Sequence, residues 1–184
     1  SAGDVNGDGF DDLIVGAPHG DDGGDNDPGE AYVIYGGATG SNIDLSSLTA
    51  AQGFILQGDV AGDEAGTSVS SAGDVNGDGF DDLIVGARYG DGGGTDAGEA
   101  YVVYGGATGS NINLSSLTAA QGFILQGDEA GEAAGYSVSS AGDVNGDGFD
   151  DLIVGAPRSD DGGKDVGEAY VIYGGATGSN INLS

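Results

Sequence analysis

Apolar residues along this chain come in short bursts bounded by glycine, with no long 3.6-residue period. Bursts of this length with β-branched and aromatic content read as strands. Each repeat of the pattern offers four. The first, strand A, covers Ser68–Asp74 and Ser137–Asp143. Strand B covers Asp12–Ala17, Asp82–Ala87 and Asp151–Ala156. Strand C covers Glu30–Tyr35, Glu99–Tyr104 and Glu168–Tyr173, and strand D covers Phe54–Gln57 and Phe123–Gln126. In strand C, Ala31, Val33 and Tyr35 alternate with Tyr32 and Ile34, so both faces are apolar and both need cover. Between C and D the segment SLTAAQG predicts one helical turn ended by Gly53.

The pattern is an internal repeat. SAGDVNGDGFDDLIVGA begins at Ser1, Ser71 and Ser140. The repeat units are therefore 1–70, 71–139 and an incomplete 140–184 that stops before a strand D. The difference in length falls in the loop between B and C, Pro18–Gly29 in the first copy, Arg88–Gly98 and Pro157–Gly167 in the others. Antiparallel four-strand sheets in series, each apolar on both faces, predict an all-β chain of propeller blades packed around an axis.

The A–B connection carries the densest chemistry. DVNGDGFDD stands unchanged at Asp4–Asp12, Asp74–Asp82 and Asp143–Asp151. Carboxylates this crowded repel one another unless a cation sits among them. Oxygens alternate along the loop, and a glycine stands where a calcium loop makes its sharp turn. The first copy offers Asp4, Asn6, Asp8, the Phe10 carbonyl and Asp12. The second offers Asp74, Asn76, Asp78, the Phe80 carbonyl and Asp82; the third offers Asp143, Asn145, Asp147, the Phe149 carbonyl and Asp151. A helix–loop–helix site needs a carboxylate three residues further on. Val15, Val85 and Val154 stand there, and a strand follows. The competing reading is a metal-free turn rich in Asn, Asp and Gly. Magnesium suits the set less well, since it keeps several waters. The expectation is three Ca2+ sites, one per loop.

Composition narrows the partners. The chain has 31 acidic and 3 basic residues, a formal charge of −28. Such a field opposes nucleic acid and anionic membranes. There is no cysteine, and no run has the length of a membrane span. The chain has no methionine and begins in mid-pattern, so it reads as a piece of a longer or processed polypeptide. Calcium loops with Asn ligands suit an extracellular or cell-surface setting.

No catalytic set assembles. His19 is the one histidine, and no Ser/His/Asp arrangement is in view. Asp11 and Asp12 are read as part of the calcium loop, not as glycosidase carboxylates. The chain is therefore expected not to be an enzyme. All basic residues lie in the B–C loops, where His19, Arg88, Tyr89, Arg158 and Lys164 form candidate ligand loops. The competing reading is drift at loop tips.

GFDDLIVGAP after a DxNxDG loop, followed by GEAYVIYGG, resembles the FG-GAP repeats of integrin alpha-chain β-propellers and their bacterial relatives. Val15-Gly16-Ala17-Pro18 and Val154-Gly155-Ala156-Pro157 match the GAP portion, with Arg88 in place of Pro in the middle copy. Ala65-Gly66 and Ala134-Gly135 keep the Gly of FG without its Phe. The resemblance implies calcium on one face and ligands on the opposite face, formed by the B–C and D–A loops. It suggests an extracellular structural or adhesive segment of a larger surface protein or repeat assembly. The other reading is a lectin-like or integrin-like domain that binds a glycan or protein through the B–C loops. About four to eight blades usually close a propeller. This chain is thus expected to need other copies, or the remainder of a longer repeat chain, beside it. Strand C of the last repeat, with Tyr170, Val171, Ile172 and Tyr173, would be an open edge.

Overall fold

The computed structural model describes residues 1–20, 27–37, 42–58, 60–106, 109–160, 163–164, 166–175 and 178–184. Parts of the first and third B–C loops lie outside the described residues. The first sheet contains β1 (Leu13–Ala17), β2 (Glu30–Ile34) and β3 (Gly53–Gln57). The second contains β4 (Ala65–Gly73), β5 (Asp82–Ala87), β6 (Glu99–Val103) and β8 (Gly122–Gly127). The third contains β9 (Ser137–Gly142), β10 (Asp151–Ala156) and β11 (Glu168–Ile172). Neighbours within each set are antiparallel in sequence order, as consecutive hairpins require. In the first repeat strand A is reduced to one bridge, Gly3 to Asp12. These three sheets are propeller blades, as the repeat pattern predicted.

Two further strands were not foreseen. β7 (Ile112–Asn113) pairs in parallel with β3, and β12 (Ile181–Leu183) pairs in parallel with β8. Each belongs to the connection after strand C but joins the outer strand of the preceding blade. The first blade thus runs β1-β2-β3-β7 and the second β12-β8-β6-β5-β4. Asn111 and Asn180 extend this join, accepting the amides of Ile55 and Ile124 at 3.1 Å. The expected turn over SLTAAQG also resolves differently. A short 3-10 turn lies upstream at Leu45–Ser47 and Leu114–Ser116, capped by Asp44 and Asn113 side chains. A separate turn closes where Gly53 donates to the Thr49 carbonyl at 3.1 Å.

The two-sided strands explain the core. Ala31, Val33, Phe54 and Leu56 of the first blade meet Leu83, Val85, Tyr101 and Val103 of the second. The opposite face of the second blade, with Ile84, Ala100, Val102, Phe123 and Leu125, meets Leu152, Val154 and Ile172 of the third. Neighbouring positions on one strand therefore serve different junctions. The FG position is filled without an aromatic ring. Ala65 and Ala134 are buried, bridged to Gly29 and Gly98. The adjacent Gly66 and Gly135 have φ of 88° and 78°, and a side chain there would collide with the Glu30 and Glu99 carbonyls.

Candidate functional site

Each DVNGDGFDD loop is folded around its own first carboxylate. Asp4 accepts from the amides of Gly7 at 2.8 Å, Asp8 at 3.0 Å and Gly9 at 2.9 Å. Asn6 accepts from the Asp8 amide, and Asp8 accepts from the Phe10 amide at 2.9 Å. Gly7 and Gly9 have φ of 75° and 88°, a region that residues with a side chain enter at a cost. Asp74 and Asp143 gather the same three amides in their loops. Three copies with one hydrogen-bond pattern show that this local sequence dictates its loop.

The last carboxylate closes the loop against the sheet. Asp12 is fully buried and accepts from Val5 at 3.1 Å and Gly36 at 2.7 Å. Asp82 takes Val75 and Gly105, and Asp151 takes Val144 and Gly174. Burial raises the Asp12 carboxyl above its usual range; the two amides pull it down, and Asp8 and Asp4 push it up. At Asp82 burial does the same more strongly, and the carboxyl is pushed up to about 7 against the pull of Gly105 and Val75. Asp78 and Asp74 add to that rise. The Asp12 and Asp82 carboxyls thus feel the other acids of their own loops.

The donor set fits a hard cation in its chemistry: every side-chain group at the alternating positions offers oxygen. An ionised carboxylate has about four acceptor positions. Asp4, with its three amides, keeps room for one more partner. The loop is not a preformed cage. Among the described residues, no three His, Cys, Asp or Glu side chains converge as metal ligands. The Asn6 amide instead donates to Asp8 at 3.2 Å. A cation would take over that oxygen from the amide.

The other sequence-predicted residues sit at the opposite end of strand B. β5 begins at Asp82, beside its loop, and ends at Ala87, next to Arg88. A cavity of about 340 Å³ there gathers His19, Glu64, Thr67, Arg88 and Tyr136. Arg88 pairs with Glu64 at 2.7 Å, and its guanidinium lies 4.6 Å from the Tyr89 ring centre. Arg158 and Lys164 are exposed and do not line this cavity. Glu64 and Tyr136 come from the D–A connection and Thr67 from the start of β4, and none of them was singled out from sequence. Only the pairing of adjacent blades puts them beside His19 and Arg88.

Sequence reasoning also merged two acids that the structure separates. Asp82 and Asp151 turn into their own loops, whereas Asp81 and Asp150 reach to the loop of the blade before.

Blades of this topology, each with an Asp- and Gly-rich A–B loop, define a repeat-built β-propeller protein. The chain belongs to the FG-GAP repeat family, whose model matches residues 1–34, 65–103 and 134–172. It is similar to Integrin alpha pat-2 of Caenorhabditis elegans, 32% identical over 97% of this chain and 14% of that protein. Integrin alpha-V of Gallus gallus is 34% identical over 83% of this chain and 14% of its own length. Phosphatidylinositol-glycan-specific phospholipase D of Bos taurus is 35% identical over 96% of this chain and 20% of its own length. The chain thus spans a fifth or less of these relatives. Among the described residues, no helix is long and apolar enough to cross a membrane.

Proposed function

We propose that this chain is a calcium-stabilised propeller segment with a structural or adhesive role in a larger extracellular surface protein. The observation that carries the reading is the loop itself. Three identical sequences fold into one conformation, with oxygen side chains at alternating positions and, among the described residues, no basic group among the hydrogen-bond partners of the loop. Asp4, Asn6, Asp8 and Asp12 would hold the ion with the Phe10 carbonyl, as would their counterparts in the other loops. The ion would neutralise the crowded carboxylates and tie the A–B turn to the start of strand B. Similarity to integrin alpha chains supports the surface and adhesive part. Further blades of the same repeat, from the same chain or from other copies, are the partners that the exposed blade faces suit. Similarity to a phospholipase D is not carried over as catalysis in this reading, since among the described residues His19 lines a cavity with Glu64, Thr67, Arg88 and Tyr136 and with no Ser/His/Asp set.

Binding that selects the folded state adds about 2.7 kcal/mol per site at a hundredfold excess over the dissociation constant. Thermal melting in calcium and in EDTA, with calorimetric titration, tests this. A large fall in Tm on chelation and a stoichiometry of three are expected. An EDTA melt equal to the calcium melt would overturn the reading.

The second reading, a binding domain on the B–C face, is favoured by the cavity that joins Arg88, Glu64, His19 and Tyr136. Screening the chain on a glycan array, with Arg88→Ala as control, separates the two readings.

A further inference from the structure

We infer that Asp81 with Phe80, and Asp150 with Phe149, are positioning residues for the cation loop of the preceding blade, so that the loops are coupled in series. The cation half of this inference rests on the calcium reading above; the positioning half does not.

The geometry repeats at both junctions. Asp81 Oδ2 accepts from the Asp4 amide at 2.8 Å, and Asp150 Oδ2 accepts from the Asp74 amide at 2.9 Å. The return bonds run from the Asp81 amide to the Asp4 carbonyl at 3.3 Å and from the Asp150 amide to the Asp74 carbonyl at 3.2 Å. Gly106 and Gly175 donate to the Val5 and Val75 carbonyls, both at 2.8 Å. The rings follow the same rule. A methyl group added at Gly7 would sit 2.5 Å from the Phe80 ring, and one at Gly77 would sit 2.7 Å from Phe149. In the first two loops the first residue, the one whose carboxylate gathers the loop amides, is thus held by the next blade.

The third loop is the internal control. Its sequence is the same, yet nothing lies within 4 Å of a methyl group added at Gly142 or Gly146. Val144 is 57% exposed, where Val5 and Val75 are 1% exposed. Backbone conformation does not separate the loops, since φ is 75° at Gly7, 78° at Gly77 and 80° at Gly146. Only the contact with a following blade differs.

This arrangement gives the coupling a direction. Asp81 lies in the second loop by sequence but faces the first. Its carboxylate is spent on a neighbour's amide, while Asp82 beside it closes its own loop. Removing Asp81 should therefore disturb the loop of the blade before more than its own.

The test is amide-resolved NMR on the full 184-residue chain. In EDTA, Asp81→Ala is expected to speed solvent exchange of the Asp4 amide roughly three- to tenfold, the worth of one hydrogen bond, with Asp74 and Asp143 unchanged. Asp81→Asn, which keeps an acceptor oxygen, should restore most of the protection. In a calcium titration, the midpoint read at Gly9 should rise by a similar factor, and the midpoint at Gly79 should stay. Gly7→Ala should lower Tm more than Gly146→Ala, since both carry the same backbone strain and only one meets a ring. Unchanged Asp4 exchange, a larger shift at Gly79 than at Gly9, or equal losses from the two glycine variants would overturn the inference. Wild-type protein that takes up no calcium would end the cation reading alone; exchange at Asp4 would still decide the positioning role.

Discussion

Glu132 shows how much a single position in the repeat can change its chemistry. It is 1% exposed and occupies the place that Asp63 holds one repeat earlier. Its carboxylate accepts from the Asp128 and Glu129 amides and from the Tyr170 hydroxyl, which it shares with Glu168. Burial raises its pKa; Tyr170 and the amides lower it, and Asp128 raises it. A carboxyl with a raised folded pKa binds its proton more tightly in the folded chain than in the unfolded one. Its favourable contribution is complete below the unfolded pKa and is lost as pH rises through the folded one. Glu132→Gln keeps acceptor and donor groups for the same partners without the charge. The variant is expected to be more stable than wild type at neutral pH, with the gap closing as pH falls from the raised folded value to the usual glutamate value. Urea unfolding across pH checks this, and a gap that widens in acid would contradict it.

At the scale of elements, the parallel strands β7 and β12 fasten each blade to the next from outside. Their sequence, Ile-Asn then Leu, is too short to show a two-residue period, which is why four strands per blade were expected. The signal in hindsight is Asn-Ile-Asn-Leu at 111–114 and 180–183, matched by Asn-Ile-Asp-Leu at 42–45, with the capping residue in third place. Asp44 and Asn113 start the 3-10 turn that follows, and Leu114 drops into the junction at 1% exposure. Leu45, its equivalent in the first blade, enters no junction in this structure and stays partly exposed. Truncating a buried leucine costs about 2–5 kcal/mol. Leu114→Ala is thus expected to destabilise the chain within that range and Leu45→Ala by less than half as much. Paired denaturant curves of the two variants measure the difference, and equal losses would remove the clamp role.

Across the whole molecule, the same residue has a different fate in each blade. Leu83 and Val85 are fully buried, whereas Leu13 and Val15, their counterparts, are 55% and 40% exposed. Ile84 is fully buried, and Ile153 is 38% exposed. Strand β11 is the outer strand of its sheet, and Val171 and Tyr173 are 50% and 58% exposed. The two open faces are the halves of an internal junction. Apolar faces of this kind favour association, and a head-to-tail contact repeats without a built-in stop unless its rotation closes a ring. The 184-residue chain is therefore expected to associate with rising concentration. Ile153→Asp and Leu13→Asp should each suppress long assemblies, and their mixture should form a capped dimer. Sedimentation velocity reads this; wild type that stays monomeric across the range would refute it.

The amino-acid sequence alone determined the antiparallel strands of each blade, the repeat and the loop conformation. Those follow from alternation along a strand, from glycine at positive φ and from Asp and Asn side chains that bond amides a few residues away. All of these act within one repeat. Tertiary structure decided what crosses between repeats. Asp11 and Asp12, Asp81 and Asp82, and Asp150 and Asp151 are identical pairs in sequence. Only the preceding blade tells the acid that closes its own loop from the one that holds a neighbour. The cavity that unites His19 with Arg88 and Tyr136, and the parallel strand added to each preceding blade, arose in the same way. Their partners lie on another blade, where local patterning carries no record of distance.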